Sequence, residues 1–317
     1  MTRCALCGSD RTTTCAKETV ASIAYTLYHC ATCGVEFWMP FKNPGAAWYE
    51  HDERYADRNA DPILTPNNKH RGVLEFLGRK KGHVLDVGCG VGNFLAYARS
   101  RGWEGWGIDF DADAIAAGKR TFGLEHLEVA SLEEFVTKHP TLRFNLITFF
   151  DVFEHLDDHN AFLELTKGIL APGGAIALSV PYRRAWRWLI PADLPPRHLT
   201  RWDEASLETA LAWHGFTIVF CRRFPASITT IALKLRFRYG AWASYGLVCK
   251  ARRSEQAEQV EGRPVAPSRT SVRVLHALAR AKDLALFGLP ALLIWLALLP
   301  SRKRYTDFYV VARASPS

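Results

Sequence analysis

The chain has 317 residues, enough for one large domain or two unequal ones with a full hydrophobic core. Its 48% hydrophobic and 23% charged residues are ordinary for a soluble globular protein. The net charge of +8 is local: residues 225–304 hold fourteen Lys/Arg against four acids, so the remainder of the chain is slightly acidic and no basic surface is expected on its main body.

The start, Met1-Thr2-Arg3-Cys4-Ala5-Leu6-Cys7, lacks the apolar core and small-residue cleavage site of a signal peptide, and a cytoplasmic setting is the expectation. Cys4-x-x-Cys7-Gly8 and Cys30-x-x-Cys33-Gly34 are two knuckles 22 residues apart. Their spacing predicts a structural zinc ion held by Cys4, Cys7, Cys30 and Cys33, with each glycine easing its turn. Ile23 to His29 reads as a strand leading into the second knuckle. The dispersed Cys15, Cys89, Cys221 and Cys249 read as small hydrophobes. Residues 1–40 have no net charge, which counts against this ribbon as a nucleic-acid recognition module.

Pro40 to Gly45 is a turn-rich hinge, and His70 to Gly78 reads as a helix. From 83 to 224, short apolar runs alternate with helical patterns, which implies a parallel sheet of βαβ units. Strands are expected at 83–88, 104–109, 126–130, 144–150, 174–180 and 216–221, and helices near 93–101, 112–122, 132–139, 158–170 and 203–214. The first strand ends in Asp86-Val87-Gly88-Cys89-Gly90-Val91-Gly92 and runs into a helix. Such a strand, glycine turn and helix bring backbone N–H groups close to a nucleotide-like ligand. Asn93 stands where a dinucleotide fingerprint would have its third glycine, so a dinucleotide fold is the weaker reading. The second strand ends in Asp109, placed to accept both hydroxyls of a ribose or, alternatively, to cap the next helix; Asp111 reads as an N-cap. Ser131 and Glu134 satisfy a capping box.

Asp86-x-Gly88-x-Gly90-x-Gly92, Asp109, the stretch Phe144 to Leu156 and Pro172-Gly173-Gly174 before a strand occur in the order of the motifs of class I S-adenosylmethionine-dependent methyltransferases, which this chain resembles over roughly residues 70–224. Asn145 departs from that pattern, where the family usually has Asp at the strand entry. The resemblance implies S-adenosylmethionine as cofactor, with Asp86, Gly88, Cys89, Gly90, Asp109 and Phe110 binding it. It places Ala130 and Ser131 beside the adenine, and Phe150 and Asp151 where the methyl donor is held. It also makes Tyr49 and Tyr55 candidates for a lid, although aromatic residues there could equally pack the ribbon onto the body. His198, in a loop at the carboxyl end of the fifth strand with Arg197, is the first choice for a general base. His155, with Glu154, is a second candidate, as base or metal ligand, against the plainer role of anchoring its loop. Tyr182, Arg183, Arg184, Trp186, Arg187 and Trp188 make the acceptor loop aromatic and basic.

In this family a seventh strand inserts beside the sixth, and Thr306 to Arg313 supplies it here. The segment before it contains Leu284 to Pro300, 17 residues without a charge, interrupted by Pro290. That is short of a membrane span, and basic residues flank both ends, Arg280 and Lys282 before, Arg302 to Arg304 after. A re-entrant or in-plane anchor on anionic lipid is expected, with a buried core helix or a dimer interface as the alternative. Ser254 to Thr270 reads as a linker.

The expected fold class is therefore α/β: a Rossmann-like seven-stranded methyltransferase sheet with a small N-terminal zinc ribbon and a membrane-binding helical insert before the last strand. The segments are 1–40, 41–224, 225–304 and 305–317. The expected function is a methyltransferase, peripheral or monotopic on the inner face of the membrane, acting on a lipid-linked glycan or other membrane-embedded acceptor. The alternative is a soluble small-molecule methyltransferase for a quinol or deoxysugar, since similar ribbons precede deoxysugar C-methyltransferases. An RNA methyltransferase ranks third, on the resemblance of the ribbon to those of certain ribosomal RNA guanine methyltransferases.

Overall fold

The computed structural model describes residues 2–45, 64, 66–78, 80–184, 193–239 and 284–314. They fall into two units. The larger lies within Met1–Arg183, Ala192–Arg223 and Asp307–Ser317, and the smaller within Arg184–Pro191 and Phe224–Thr306.

The larger unit begins with an antiparallel sheet. Strands β1 (Thr12–Val20) and β2 (Ile23–Cys30) form a hairpin whose two turn residues, Ala21 and Ser22, both have positive φ (49° and 69°). That is the geometry whose twist matches a two-residue hairpin. β1 was invisible to apolar periodicity because Thr-Thr-Thr-Cys-Ala-Lys-Glu-Thr-Val is almost wholly exposed. β2 buries Tyr25 and Leu27 on alternate positions, as a half-buried strand should. β3 (Glu36–Met39) pairs with β2, and the fourth strand, β9 (Thr200–Arg201), comes from far along the chain. Arg183 binds this arrangement together. Its guanidinium donates to the Gly34 carbonyl and to Asp203 Oδ2 at 2.6 Å, while Asp203 Oδ1 accepts from Ser206 N at 3.0 Å. Arg201 adds a bond to Glu36 at 2.9 Å.

The second sheet has seven strands in the order β10-β11-β8-β7-β4-β5-β6. Its strands are β4 (His83–Val87), β5 (Glu104–Asp109), β6 (Leu127–Val129), β7 (Phe144–Phe150), β8 (Leu170–Pro181), β10 (Phe216–Pro225) and β11 (Tyr305–Ala314). Between them run α1 (Asn68–Leu77, before β4), α2 (Asn93–Ser100), α3 (Ala112–Phe122), α4 (Leu132–Lys138), α5 (His159–Gly168) and α6 (Glu204–Trp213). β6, β5, β4, β7 and β8 are parallel, and β11 runs antiparallel to β8. Leu146 to Phe149 and Ala175 to Val180 are buried without alternation, as befits strands covered on both faces. The strand order reverses between β4 and β7, the position where such sheets open a ligand crevice at their carboxyl edge.

The expected bounds 104–109, 112–122 and 144–150 coincide with β5, α3 and β7. β8 begins four residues earlier than expected, at Leu170, because Pro172-Gly173-Gly174 lies inside the strand. Pairing with β7 passes from Phe144–Leu170 to Leu146–Ala175, so the Pro-Gly-Gly residues form an irregularity and not a separator. β10 runs to Pro225 instead of 221.

The smaller unit is inserted in sequence between β10 and β11. It contains α7 (Ile228–Tyr239), a π-helical turn (Leu284–Gly288), α8 (Leu289–Leu298) and a 3-10 turn (Arg302–Arg304). The expected continuous apolar run is thus divided. Pro290 sits in the first turn of α8, where its missing N–H leaves no bond unmade. Ile231, Leu235 and Ala291 form an apolar cluster with Phe287, Ile294, Trp295 and Leu298 packed against it. Leu286, Leu289, Leu293 and Leu296 lie three or four residues apart and are exposed. Ten helical residues span about 15 Å against a hydrocarbon thickness of about 30 Å. No helix among the described residues is long and apolar enough to cross a membrane. The lid candidates Tyr49 and Tyr55, the loop residues Trp186, Arg187 and Trp188, the linker at 254–270 and the flanking Arg280 and Lys282 lie outside the described residues.

Asp203 is buried, with its carboxylate facing the Arg183 cation. Arg183→Ala is expected to lower unfolding free energy by about 3 kcal/mol, since the buried Asp203 carboxylate would lose its cationic partner. Urea denaturation checks this; equal midpoints for variant and parent would mean that Arg183 does not hold the two sheets' elements together.

Candidate functional site

At the end of β4 the chain turns through Gly88, Gly90 and Gly92, all with positive φ (72°, 53° and 78°). A side chain would be strained at each. At Gly88 a Cβ would also meet Val152 Cγ2 at 2.5 Å. The turn is tied to β5: Gly88 N and Cys89 N both donate to the Ile108 carbonyl (2.8 and 3.1 Å), and Gly90 N donates to Asp109 Oδ2 at 2.7 Å. Asp109 Oδ1 accepts from Asp111 N at 2.9 Å. The carboxylate therefore both anchors the glycine turn and starts the next helix. Burial raises its pKa, against the amide hydrogen bonds that favour its charged form. Asp111 caps α3 as expected, accepting from Ala114 N at 3.0 Å.

Asp86 is buried beneath this turn, accepting from Thr148 Oγ1 at 2.6 Å. Burial lifts its pKa to about 7, the Thr148 bond opposing and the Asp109 charge adding to the effect. Cys89 is also buried, and its thiol lies 3.5 Å from the Gly90 carbonyl. Phe110 and Val129, at the carboxyl ends of β5 and β6, are instead half exposed (50% and 54%). Ala130 N donates to the Asp109 carbonyl at 3.2 Å. Ser131 makes the full capping box of α4 with Glu134, so its hydroxyl is already engaged.

At the end of β7, Phe150 packs with Phe94 and His70, ring centroids 5.2 and 5.1 Å away. Asp151 has φ of 55°, a left-handed conformation uncommon outside glycine. It is held by Lys69 Nζ at 2.7 and 2.9 Å and by Ser179 Oγ at 2.9 Å. Lys69 also reaches Asp307 at 2.9 Å. Burial works against the Lys69 charge, but Asp151 and Asp307 outweigh it and hold the ammonium above its usual pKa. Lys69, Ser179 and Asp307 belong to no motif; three separated segments meet here, and sequence spacing gives no sign of it.

Beyond Asp151, a 3-10 turn (Phe153–His155) carries Glu154 and His155 to the loop containing His198. The His155 and His198 rings meet edge to face at 4.8 Å. His155 Nδ1 is 2.7 Å from the Arg197 carbonyl, and His198 Nε2 is 3.9 Å from Glu154 Oε1. Burial lowers the His155 pKa to about 4 and brings that of His198 well below the ordinary value; the same burial raises Glu154 well above the carboxylate range. Burial thus disfavours the protonated form of both imidazoles.

In the N-terminal sheet, Cys4 Sγ lies 3.6 Å from Cys33 Sγ and Cys7 Sγ 3.6 Å from Cys30 Sγ, and all four sulfurs fall within 4.8 Å of one another. Tetrahedral thiolates about 2.3 Å from one zinc ion would stand about 3.8 Å apart, so the donor set fits that ion.

The position of Asp86 has a consequence for pH. Its folded pKa is raised above the unfolded value of 3.8, so between about pH 4 and 7 the native state holds the proton that the unfolded state releases. Stability contributed by this group must then fall as pH rises through that window, by up to about 4 kcal/mol. Asp86→Asn is expected to flatten the curve relative to the parent, read from denaturation midpoints of ligand-free protein at pH 4.5 and 7.5. Parallel curves would mean that Asp86 is ionised throughout.

A family model described as "Methyltransferase domain" matches residues 52–220, more than half of the chain. A ubiquinone biosynthesis O-methyltransferase of Bradyrhizobium sp. (strain ORS 278) is 30% identical over 123 residues, 38% of this chain and 47% of that protein. One from Glaesserella parasuis serovar 5 (strain SH0165) is 28% identical over 131 residues, 39% of this chain and 53% of its own length. The chain thus spans about half the length of these curated relatives. Among solved structures, a SAM-dependent methyltransferase from Archaeoglobus fulgidus overlays with a TM-score of 0.49 at 17% identity, covering 83% of this chain and 100% of that one. A methyltransferase from Thiobacillus denitrificans in complex with S-adenosyl-L-homocysteine gives 0.48 at 17% identity, covering 84% and 98%. With the glycine turn, the acid ending β5 and the seven-stranded order in place, the chain belongs to the methyltransferase-domain family and carries a domain of the class I S-adenosylmethionine-dependent type.

Proposed function

We propose that this protein transfers a methyl group from S-adenosylmethionine to a hydroxyl-bearing small molecule of the quinol or sugar class. The observation that carries this reading is the single exit loop of β7, which holds Asp151 and, three and four residues on, Glu154 and His155. In this reading the ribose lies at Asp109 and the amino-acid part of the cofactor against Asp86 and the Gly88–Cys89–Gly90 turn. Adenine lies between Phe110 and the Ala130–Ser131 turn, and the methyl end at Phe150 and Asp151. The acceptor then approaches His155 and His198. Methyl transfer to an activated sulfonium is governed by alignment, so a polar cluster one loop away from the donor is where an acceptor must be held. Similarity to ubiquinone biosynthesis O-methyltransferases supports a small-molecule acceptor. The four-cysteine site holds a structural zinc in this reading and takes no part in the transfer.

A second feature favours an acceptor presented at a lipid surface. Leu286, Leu289, Leu293 and Leu296 are exposed together, with Arg302, Lys303 and Arg304 following. In-plane association with anionic lipid would cover those leucines and use that charge.

Gly88→Val and Asp109→Ala are expected to abolish S-adenosylhomocysteine binding by calorimetry while zinc content stays at one ion per chain. Binding unchanged in both variants would refute the placement of the cofactor. The lipid reading predicts flotation of the parent with phosphatidylglycerol vesicles and at least tenfold less with Leu289→Glu and Leu293→Glu combined. Equal flotation of parent and variant, or no flotation of the parent, would remove these leucines as a lipid-binding surface.

A further inference from the structure

Lys69 stands inside the protein, its side chain only 12% exposed. A lysine is rarely buried unless its charge is paired. Here Nζ lies 2.7 and 2.9 Å from the two Asp151 carboxylate oxygens, 2.9 Å from Asp307 Oδ2 and 3.3 Å from Ser179 Oγ. Three partner side chains thus occupy the three protons of the ammonium group. Burial disfavours the charge, but Asp151 and Asp307 outweigh it, so Lys69 stays a cation. It is neither a base nor a donor with a proton left over for a ligand.

Local sequence explains how a lysine comes to lie there. Asn67 caps α1, accepting from Lys69 N and His70 N at 2.9 Å each, and so fixes where the first turn begins. Gly72 lets the helix lie against β11, because a Cβ there would overlap Tyr309 Oη. Lys69 and Gly72, three residues apart, share a face of the helix, as Asp307 and Tyr309, two apart, share a face of the strand. The glycine that admits the helix therefore also sets Lys69 against Asp307. β8 lies between β11 and β7, with Ser179 paired to Tyr309 on one side and to Phe150 on the other. His70, the next residue of the helix, packs on both Phe150 and Phe94, ring centroids 5.1 and 5.4 Å away. One turn of α1 thus braces the end of β7 and the helix that follows the glycine turn.

We propose that Lys69 is a positioning residue for the donor end of the crevice, acting through Asp151; this deepens the methyltransferase reading and rests on it for the place of the cofactor. Asp151 is half exposed and Lys69 is not, so the ammonium grips the carboxylate from its protein side. That grip, with the Ser179 bond, keeps Asp151 at its left-handed φ and fixes the direction of the chain on either side, Phe150 before it and Glu154 and His155 after. A turn already in its binding shape takes a ligand without the cost of being ordered by it. Lys69 then contributes to cofactor affinity without touching the cofactor, and it does so as a cation and not as bulk.

The test is S-adenosylhomocysteine calorimetry and amide hydrogen exchange on the full-length protein. Lys69→Ala is expected to weaken binding about tenfold, within the range for coupled neighbours. Amides 151–156 should exchange faster, while the glycine turn at 88–92 stays protected. Millimolar n-propylammonium, the part of the side chain removed, should restore affinity, and n-propanol, its neutral counterpart, should not. Asp151→Asn, uncharged but at ease at positive φ, should also weaken binding, and the losses should not add in the double variant. Where Lys69→Ala does not fold, Asp151→Asn decides by its own affinity and exchange. Parent-like affinity in the folded variants, additive losses, equal rescue by the alcohol, or lost protection at 88–92 in a folded variant overturns the proposal. A parent that binds no S-adenosylhomocysteine loses the methyl-transfer reading; exchange at 151–156 then still decides whether Lys69 holds the loop.

Discussion

The crevice depends on one constraint: the backbone leaving β4 must turn back against β5 without a side chain in the way. Three left-handed glycines allow it, and three hydrogen bonds tie it to β5, two to the Ile108 carbonyl and one to the Asp109 carboxylate. Asp109 is thus a structural element of the turn. Its lone pairs organise the turn that any nucleoside bound there would touch, and burial keeps water from competing for those bonds. Asp86, one layer below, is buried with a single hydroxyl donor, which explains why its proton is retained toward neutral pH.

A second set of contacts converts the sheet edge into a site of definite shape. Lys69, from the helix before β4, draws together Asp151 at the end of β7 and Asp307 on β11. Asp151 is held at positive φ while its carboxylate accepts from Lys69 and Ser179. The conformation is costly for a residue with a Cβ, and the bonds from Lys69 and Ser179 hold it in place. The loop that follows is therefore launched in a direction set by charges from three distant segments.

The N-terminal sheet contributes more than a metal knuckle. It is completed by β9, and the loop before β9 carries His198. Arg183, Arg201 and Asp203 tie that strand to residues 29–36 through charge-assisted bonds. Folding of the cysteine sheet and placement of His198 are consequently parts of the same packing problem, although they lie more than 160 residues apart.

Local chemistry made much of this readable in advance. The glycine spacing, the acids at 86 and 109, the caps at Asp111 and Ser131 and the paired C-x-x-C knuckles depend on neighbours a few residues away. For that reason β5, α3 and β7 fell where periodicity placed them. Polar β1 and two-residue β9 carry no apolar pattern, and both exist only because a partner strand supplies hydrogen bonds. Lys69 looks like any surface lysine until α1 packs across the ends of β7 and β11. Glu154, His155 and His198 were each visible as chemistry-bearing residues, but only the fold brings the third to the first two and buries the carboxylate without a partner. The glycine turn and its acids could be read from the residues alone, because they are built from short-range backbone geometry. The cluster of Glu154, His155 and His198 arises only in the folded chain, because long-range packing brings those side chains together.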